Sequence, residues 1–552
     1  MRRVVGSIAA VFALLLSAGS VGARASAYDG HPKLVVVLVL DQFRGDYLDR
    51  YRADFKTPNG FNLFLKKGAY FPECYYEYGN TMTAPGHSTI GTGAYTNGHN
   101  VGVNDWWDLS RSTTRMVSSV EDERYPLVGA SANAELGASP RNELASTLGD
   151  EVVLGTGGKA KLFGVSLKDR AAILTSGHAS QGAYWIDHAT GDWESSTYWM
   201  KELPGWVKAF NSSDEMEQAR KEAGVPMGDF YEKVGATPAA VRYELDFAQA
   251  LVSAEKLGQD DVTDVLTISI SSTDILGHAV GPDSPQQRAM IDATDVDLNR
   301  FFDFLSTHVE GGLGNVWVAM TGDHGVAPSP AVAAREGMPA GSFESGALDA
   351  EVNRELDARL TPGETTRFVL GGDLPYIELD DRAFAAEKMD ERAAEQLVAE
   401  IVPGAMERMP GNAQAADSHS LQAVTVRHVY TKVQMAAGDL PQTEEGRIIL
   451  DSYTTNGGWW VYVTPGMYDV PAGHGGKGTS HYTPYSYDRH VPLAFFGSPF
   501  VPGTYLEHTE PVDIAATFAA LLGVNQPSAC VGRVVTQAIR AEDGGAHRPV
   551  GR

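Results

Sequence analysis

The chain has 552 residues, with 44 lysines and arginines against 70 aspartates and glutamates, for a formal charge of −26. Such acidity excludes the basic footprint of a nucleic-acid-binding protein. The only cysteines, Cys74 and Cys530, exclude a disulfide framework and a cysteine-built zinc site, leaving room for one bridge or two buried thiols.

The chain opens on Arg2 and Arg3, an apolar run from Ile8 to Leu16, and small residues around Ala23-Arg24-Ala25 and Ala25-Ser26-Ala27. That is the pattern of a secretory signal peptide over 1–27. The run is shorter than the roughly 20 apolar residues that span a bilayer. The sequence therefore predicts export to the periplasm or the extracellular space, with no stable membrane insertion. The leader's charged residues are all arginines, so its removal leaves the chain more acidic still. An anionic substrate then needs strong local cations, and bound divalent metals are the largest local charges a protein recruits.

Lys33 to Leu40 is an unbroken apolar, β-branched run, the signature of a strand buried on both faces of a parallel sheet. Val262 to Ile270, Asn315 to Met320 and His490 to Phe496 repeat it. Asp41, the Ser271 to Asp274 turn and Asp323-His324 follow three of these runs at once, where open α/β sheets gather their ligands. Between strands, Pro285 to Ser306 has helical periodicity, while Tyr184 to Asp187 and Trp193 to Trp199 read as a β-hairpin beyond the core. Acidic helix-like segments, as at Asp380 to Ile401, mix with short strands between about Pro328 and Pro471. The expected architecture is one α/β catalytic domain over 28–545. Its mostly parallel central sheet carries helices on both faces, with cap or insertion segments around 171–235 and 330–470.

Thr81-Met-Thr-Ala-Pro-Gly-His87 holds two hydroxyls in a turn at a helix start, where an anion is favoured. Asn104 offers an amide donor. Lys168-Asp-Arg170 puts two cations at i and i+2, pointing the same way on an extended chain. Asp274 and His278 stand at i and i+4, on one face of a helical turn, and can grip one cation. Asp323-His324 supplies two further ligand types, and His474 and His481 lie in the glycine-rich stretch Pro471 to His481. Singly, each has an ordinary reading: Asp41 caps a helix, Asp274 begins one, and Lys168 and Arg170 are a solvated turn. Gly155-Thr-Gly-Gly-Lys159 and Gly473-His-Gly-Gly-Lys477 fail the spacing of a P-loop.

In their order, the acid after the first strand, Thr83-Ala-Pro-Gly-His87, Asp274-x-x-x-His278, Asp323-His-Gly325 and a late histidine resemble the alkaline phosphatase superfamily. Within it the chain is similar to the threonine-type, phosphate-irrepressible alkaline phosphatases of bacteria. The resemblance runs from Leu34 through Val512 to Gly523 and covers the insertion least clearly. It implies Asp274, His278 and His481 as ligands of one zinc, and Asp41, Asp323 and His324 as ligands of a second, to which Thr83 also binds. It implies Thr83 as nucleophile, rather than Thr81, with Asn104, Lys168 and Arg170 holding the phosphate. His481 is preferred to His474 because Tyr485-Ser-Tyr-Asp488 follows it, although Tyr482 stands where these enzymes often have glycine.

The implied reaction is hydrolysis of small phosphate monoesters through a phosphothreonine, since two cations reward the dianion of a monoester over the single charge of a diester. Manganese and cobalt accept the same oxygen and imidazole ligands as zinc, and the surplus acids leave room for a structural calcium. A phosphodiesterase or nucleotide pyrophosphatase with the same metals is the alternative, and a non-catalytic exported phosphate- or metal-binding protein is a third. Sulfatases need a Cys or Ser before their proline and phosphoglycerate mutases a serine nucleophile, and Thr83 fits neither. Nothing in the sequence specifies an oligomeric state.

Overall fold

The computed structural model describes residues 31–129, 137–372, 374–409, 421–471 and 478–540. The leader over 1–27 and His474 lie outside these residues. Leu34–Leu40 is fully buried along its length, as is Asp264–Ile270 and Val316–Gly322. A run without polar alternation can bury both its faces only between helical layers, and this is where the chain puts it.

Eleven strands make the main sheet. In chain order they are β1 (Leu34–Leu40), β2 (Ala69–Tyr75), β3 (Glu121–Val128), β4 (Gly137–Ala138), β5 (Leu162–Ser166) and β6 (Gly182–Ile186), then β7 (Trp193–Ser196), β8 (Asp264–Ile270), β9 (Val316–Gly322), β10 (His490–Phe496) and β11 (Gly503–Thr504). The spatial order is β11-β2-β10-β9-β1-β8-β5-β6-β7-β3-β4. Strands β9, β1, β8, β5 and β6 are mutually parallel.

Two expectations are corrected. Strand β10 runs antiparallel to β9 and β2 rather than parallel, because an apolar run reports burial on two faces and carries no information on direction. The Tyr184 hairpin forms as β6 and β7, but it extends the main sheet instead of standing beyond it, since β6 also pairs with β5.

The helices that position the site are α1 (Thr83–Thr92), α2 (Asp169–Ser176), α3 (Ser272–Val280) and α4 (Pro285–His308). The stretch 330–470 builds a three-stranded antiparallel sheet from Tyr376–Leu379, Val426–Thr431 and Trp459–Pro465. Helices Ser345–Leu360 and Glu391–Arg408 cover it around a separate apolar cluster that includes Val352, Ile377, Val398 and Val461. This layer reaches the turn that precedes Thr83, where Asn80 Nδ2 donates to Tyr376 Oη at 2.9 Å and to Ser452 O at 2.8 Å. No helix among the described residues is long and apolar enough to cross a membrane. Cys74 and Cys530 stand as free thiols.

Candidate active site

Register delivers the site. Leu40 pairs with Ile270 on one side and Gly322 on the other, so Asp41, the Ser271 turn and Asp323-His324 leave the sheet at one level. Ser166 pairs with Ser269, bringing Lys168 to the same edge.

Asp41, Asp323 and His324 are wholly buried, with ligand atoms within 4.8 Å of one another. His324 Nε2 lies 3.5 Å from Asp41 Oδ1 and 3.6 Å from Asp323 Oδ2. None of these three atoms has a hydrogen-bond partner among the described residues. Each buried orphan costs about 1–3 kcal/mol, so three that converge make a candidate cation site. Burial, then the charge of Asp274, pushes the Asp41 carboxyl up to about 6 against the pull of Lys168. Burial and then Asp41 raise Asp323 well above the usual range. A divalent cation reverses both pressures.

Asp274, His278 and His481 form the other group. His278 Nε2 is 3.1 Å from Asp274 Oδ1, and His481 Nε2 is 3.2 Å from His278 Nε2 and 3.8 Å from Asp274 Oδ1. Every Nδ1 here is committed to a main-chain carbonyl: His278 to Thr479 O at 3.0 Å, His481 to Thr81 O at 2.5 Å and His324 to Gly325 O at 2.9 Å. All three Nε2 atoms therefore face inward. The nitrogens of His278 and His481 bring lone pairs together unless a proton or a cation lies between them. Ligands about 2.0–2.1 Å from a tetrahedral ion sit roughly 3.3 Å apart, which the 3.1 and 3.2 Å separations match. Burial lowers His324 to about 4 and His481 well below its ordinary value, so both are neutral donors at neutral pH. The two expected ligand sets are not fully separate, because His324 also lies within reach of Asp274 and His481 and stacks on the His481 ring at 3.8 Å.

Lys168 links the groups. Its Nζ donates to Asp41 Oδ2 and Asp274 Oδ2, each at 2.6 Å, and to Thr83 Oγ1 at 3.3 Å. Burial raises the Asp274 carboxyl, but Lys168 and His278 outweigh it and hold the group well below the usual range. Three carboxylates against one ammonium leave an excess of negative charge that bound divalent cations offset.

Thr83 is the first residue of α1, after Met82 in extended conformation. Pro85 is tolerated in that first turn, where no intrahelical donor is lost. Asn104 Oδ1 accepts from Ala84 N at 2.8 Å, which fixes the amide so that its Nδ2 is the end left to face a ligand. Arg170 differs from the expected geometry. Lys168 is extended and caps α2, whereas Arg170 already lies in that helix, so the pair is not presented from one extended strand. Arg170 Nε is buried without a partner among the described residues, and its charge is felt by Asp41 and His87. Thr81 holds the His481 loop, its Oγ1 accepting from Tyr482 N at 3.2 Å. Tyr482 takes a φ of 99°. That is left-handed backbone in which glycine is at ease.

Sequence reasoning assigned no role to His87 or Gln42. His87 Nδ1–H donates to Thr83 O at 2.7 Å and its Nε2 accepts from Ser269 Oγ at 2.7 Å, pinning α1 to β8. Gln42 donates from its backbone to Asp323 Oδ1 at 3.0 Å and from Nε2 to Asp274 Oδ1 at 2.7 Å, joining the two ligand groups. Gly277 makes room for it, since a Cβ there would meet Gln42 Oε1 at 2.0 Å. Glycine in Asp-x-x-Gly-His was the available signal.

The sequence model of the type I phosphodiesterase / nucleotide pyrophosphatase family matches residues 35–465. The chain belongs to this family. It is thereby a phosphoester hydrolase of the alkaline phosphatase superfamily, a metal-dependent group. Alkaline phosphatase PhoV of Synechococcus elongatus is 31% identical across 92% of this chain and 93% of its own length. Alkaline phosphatase PafA of Elizabethkingia meningoseptica is 30% identical across 95% and 98%. The crystal structure of wild-type PafA superimposes with a TM-score of 0.80 at 29% identity, over 93% of this chain and 99% of that one. Murine ectonucleotide pyrophosphatase / phosphodiesterase 5, at 16% identity and a TM-score of 0.51, shares the fold alone.

Proposed function

We propose that this family member is an exported phosphomonoesterase that works through a phosphothreonine on Thr83. The observation that carries the reading is Lys168, whose ammonium reaches the carboxylates of both ligand groups and lies 3.3 Å from Thr83 Oγ1. Asp41, Asp323, His324 and Thr83 are assigned to one zinc ion and Asp274, His278 and His481 to another. When bound, such ions lower the pKa of a coordinated hydroxyl and stabilise a leaving alkoxide.

The remaining steps belong to the chain. Thr83 Oγ1 attacks phosphorus in line as the ester oxygen departs with the alcohol, forming phospho-Thr83. Water then attacks that phosphorus and releases inorganic phosphate with the threonine hydroxyl regenerated. The start of α1, the Asn104 amide, Lys168 and Arg170 hold the non-bridging oxygens. His87 fixes the carbonyl of Thr83 and thereby the direction of its hydroxyl.

Two cations favour the dianionic monoester. The family's own description favours a second reading, diester or pyrophosphate hydrolysis at the same site. Kinetics on p-nitrophenyl phosphate and bis-p-nitrophenyl phosphate, with zinc and with chelator, separate the two. Chelator-sensitive turnover with kcat/KM higher for the monoester is expected. A higher value for the diester transfers the assignment to the second reading. Export to the periplasm or beyond is supported by the N-terminal sequence pattern and is tested by N-terminal sequencing of secreted protein, which should begin near residue 28.

A further inference from the structure

Beside the phosphate-binding side chains lies a cavity of about 330 Å³, lined in part by Ser118, Val120, Asp169, Trp185, His188 and Glu194. The chain itself sets its location. Asp169 stands between Lys168 and Arg170, and Ser118 and Val120 flank Ser119, whose N–H donates to Asn104 O at 2.8 Å. Lys168 and Arg170 thus flank a lining residue in sequence, and Asn104 is hydrogen-bonded to the residue that stands between two others.

The wall is acidic. Glu121, Asp169, Asp187 and Glu194 line it, and among the described residues no lysine or arginine does. Glu121 is met by Arg111 and Arg115, Asp169 accepts from Arg170 N at 2.7 Å, and Asp187 accepts from Thr190 N at 2.8 Å. Glu194 stands apart. It is 5% exposed, and its Oε1 accepts the indole N–H of Trp185 at 2.8 Å. Its Oε2 has no partner among the described residues. Burial, partly offset by the Trp185 bond, pushes this carboxyl up to about 8, and the charges of Asp187, Asp169 and Asp192 add to the push.

A buried, unpartnered carboxyl oxygen on a residue that lines an acidic cavity is completed by a cation. A chelated metal does not fit, because the described residues bring three ligand atoms within 4.8 Å only in the groups at Asp41 and Asp274. At about 30 Å³ per water the volume equals roughly ten waters, room enough for an organic ion. Flat walls come from Trp185 and from His188, which stacks on Tyr231 at 4.1 Å.

We propose that this cavity recognises an organic ammonium group carried on the alcohol portion of the phosphate ester, with Glu194 as its anionic partner. The proposal rests on the monoesterase reading, to which it adds a substrate class: phosphates of amino alcohols.

The test compares n-alkyl phosphates with ω-aminoalkyl phosphates of matched length, using zinc-loaded protein at about pH 9. There Glu194 is ionised and a primary amine, with a value near 10.4, still carries its charge. At one chain length the amino ester should exceed its neutral partner about tenfold or more in kcat/KM, as one charge-assisted hydrogen bond allows. Glu194→Gln, which keeps an acceptor for Trp185, should remove that peak and leave neutral-ester turnover unchanged. A ratio that is flat across chain lengths in the native protein overturns the proposal by itself, since it reports only the inductive effect of the ammonium on the leaving alcohol. A peak that survives in Glu194→Gln overturns it as well. Absence of turnover for the neutral esters signals instead that the monoesterase reading has failed, and the subsite falls with it.

Discussion

Gly86 and Asp323 approach so closely that a Cβ on residue 86 would lie 2.3 Å from the carbonyl oxygen of Asp323. The helix that begins with Thr83 is seated directly on the turn that presents Asp323 and His324. Gly86→Ala must push these apart. Displacements near 1 Å cost on the order of 100-fold in rate, so kcat/KM should fall by about that factor, together with a lower Tm. A variant with native kinetics would remove the link between this contact and the alignment of Thr83.

Lys168 and Arg170 are assigned to the second negative charge of a monoester. Lys168→Ala and Arg170→Ala should each lower monoester kcat/KM by about 100-fold and diester kcat/KM by less than about tenfold. Equal losses on both substrates contradict the assignment.

His481 offers Nε2 inward while its Nδ1 is held by Thr81 O. His481→Ala should lower bound metal by about one equivalent per chain in elemental analysis after dialysis. Asp323→Asn should weaken retention at the other group. Full metal content in both variants counts against a site built from these residues.

Glu378 lies on the strand Tyr376–Leu379, where its Oε2 accepts from Trp107 N at 2.8 Å. Burial pushes its carboxyl from an ordinary 4.5 up to about 8. Below about pH 4.5 both the folded and unfolded forms hold the proton, and the contribution is complete. As pH rises towards 8 the unfolded chain releases a proton that the folded chain retains, so stability is lost across that window. Glu378→Gln cannot ionise and should flatten the decline by up to a few kcal/mol between about pH 5 and pH 8. Denaturant melts at several pH values read this directly, and parallel curves for the two proteins would sink the expectation.

Much of the core was legible because parallel strands buried on both faces leave long apolar runs. The Lys33 to Leu40 run folds as Leu34–Leu40, and the run ending at Met320 extends only to Gly322. The direction of His490–Phe496 was not legible, since its neighbours are chosen by connections far along the chain. In the site, Asp274 and His278 could be read from spacing because a single helix sets their geometry. Gln42 could not. It bridges two carboxylates more than 230 residues distant in sequence, and its φ of 58° departs from what its residue type suggests. The way Arg170 is presented relative to Lys168 was not legible for a related reason, because a helix begins between them.

The three imidazoles draw their orientation from the carbonyls of Thr81, Gly325 and Thr479. Metal-binding histidines often lean on a neighbouring carboxylate, which a single substitution can erase. Here the acceptor belongs to the main chain and persists whatever side chain occupies those positions. The tautomer of each imidazole is thus inherited with the fold, and surrounding residues are free to diverge without turning its Nε2 away from the candidate site.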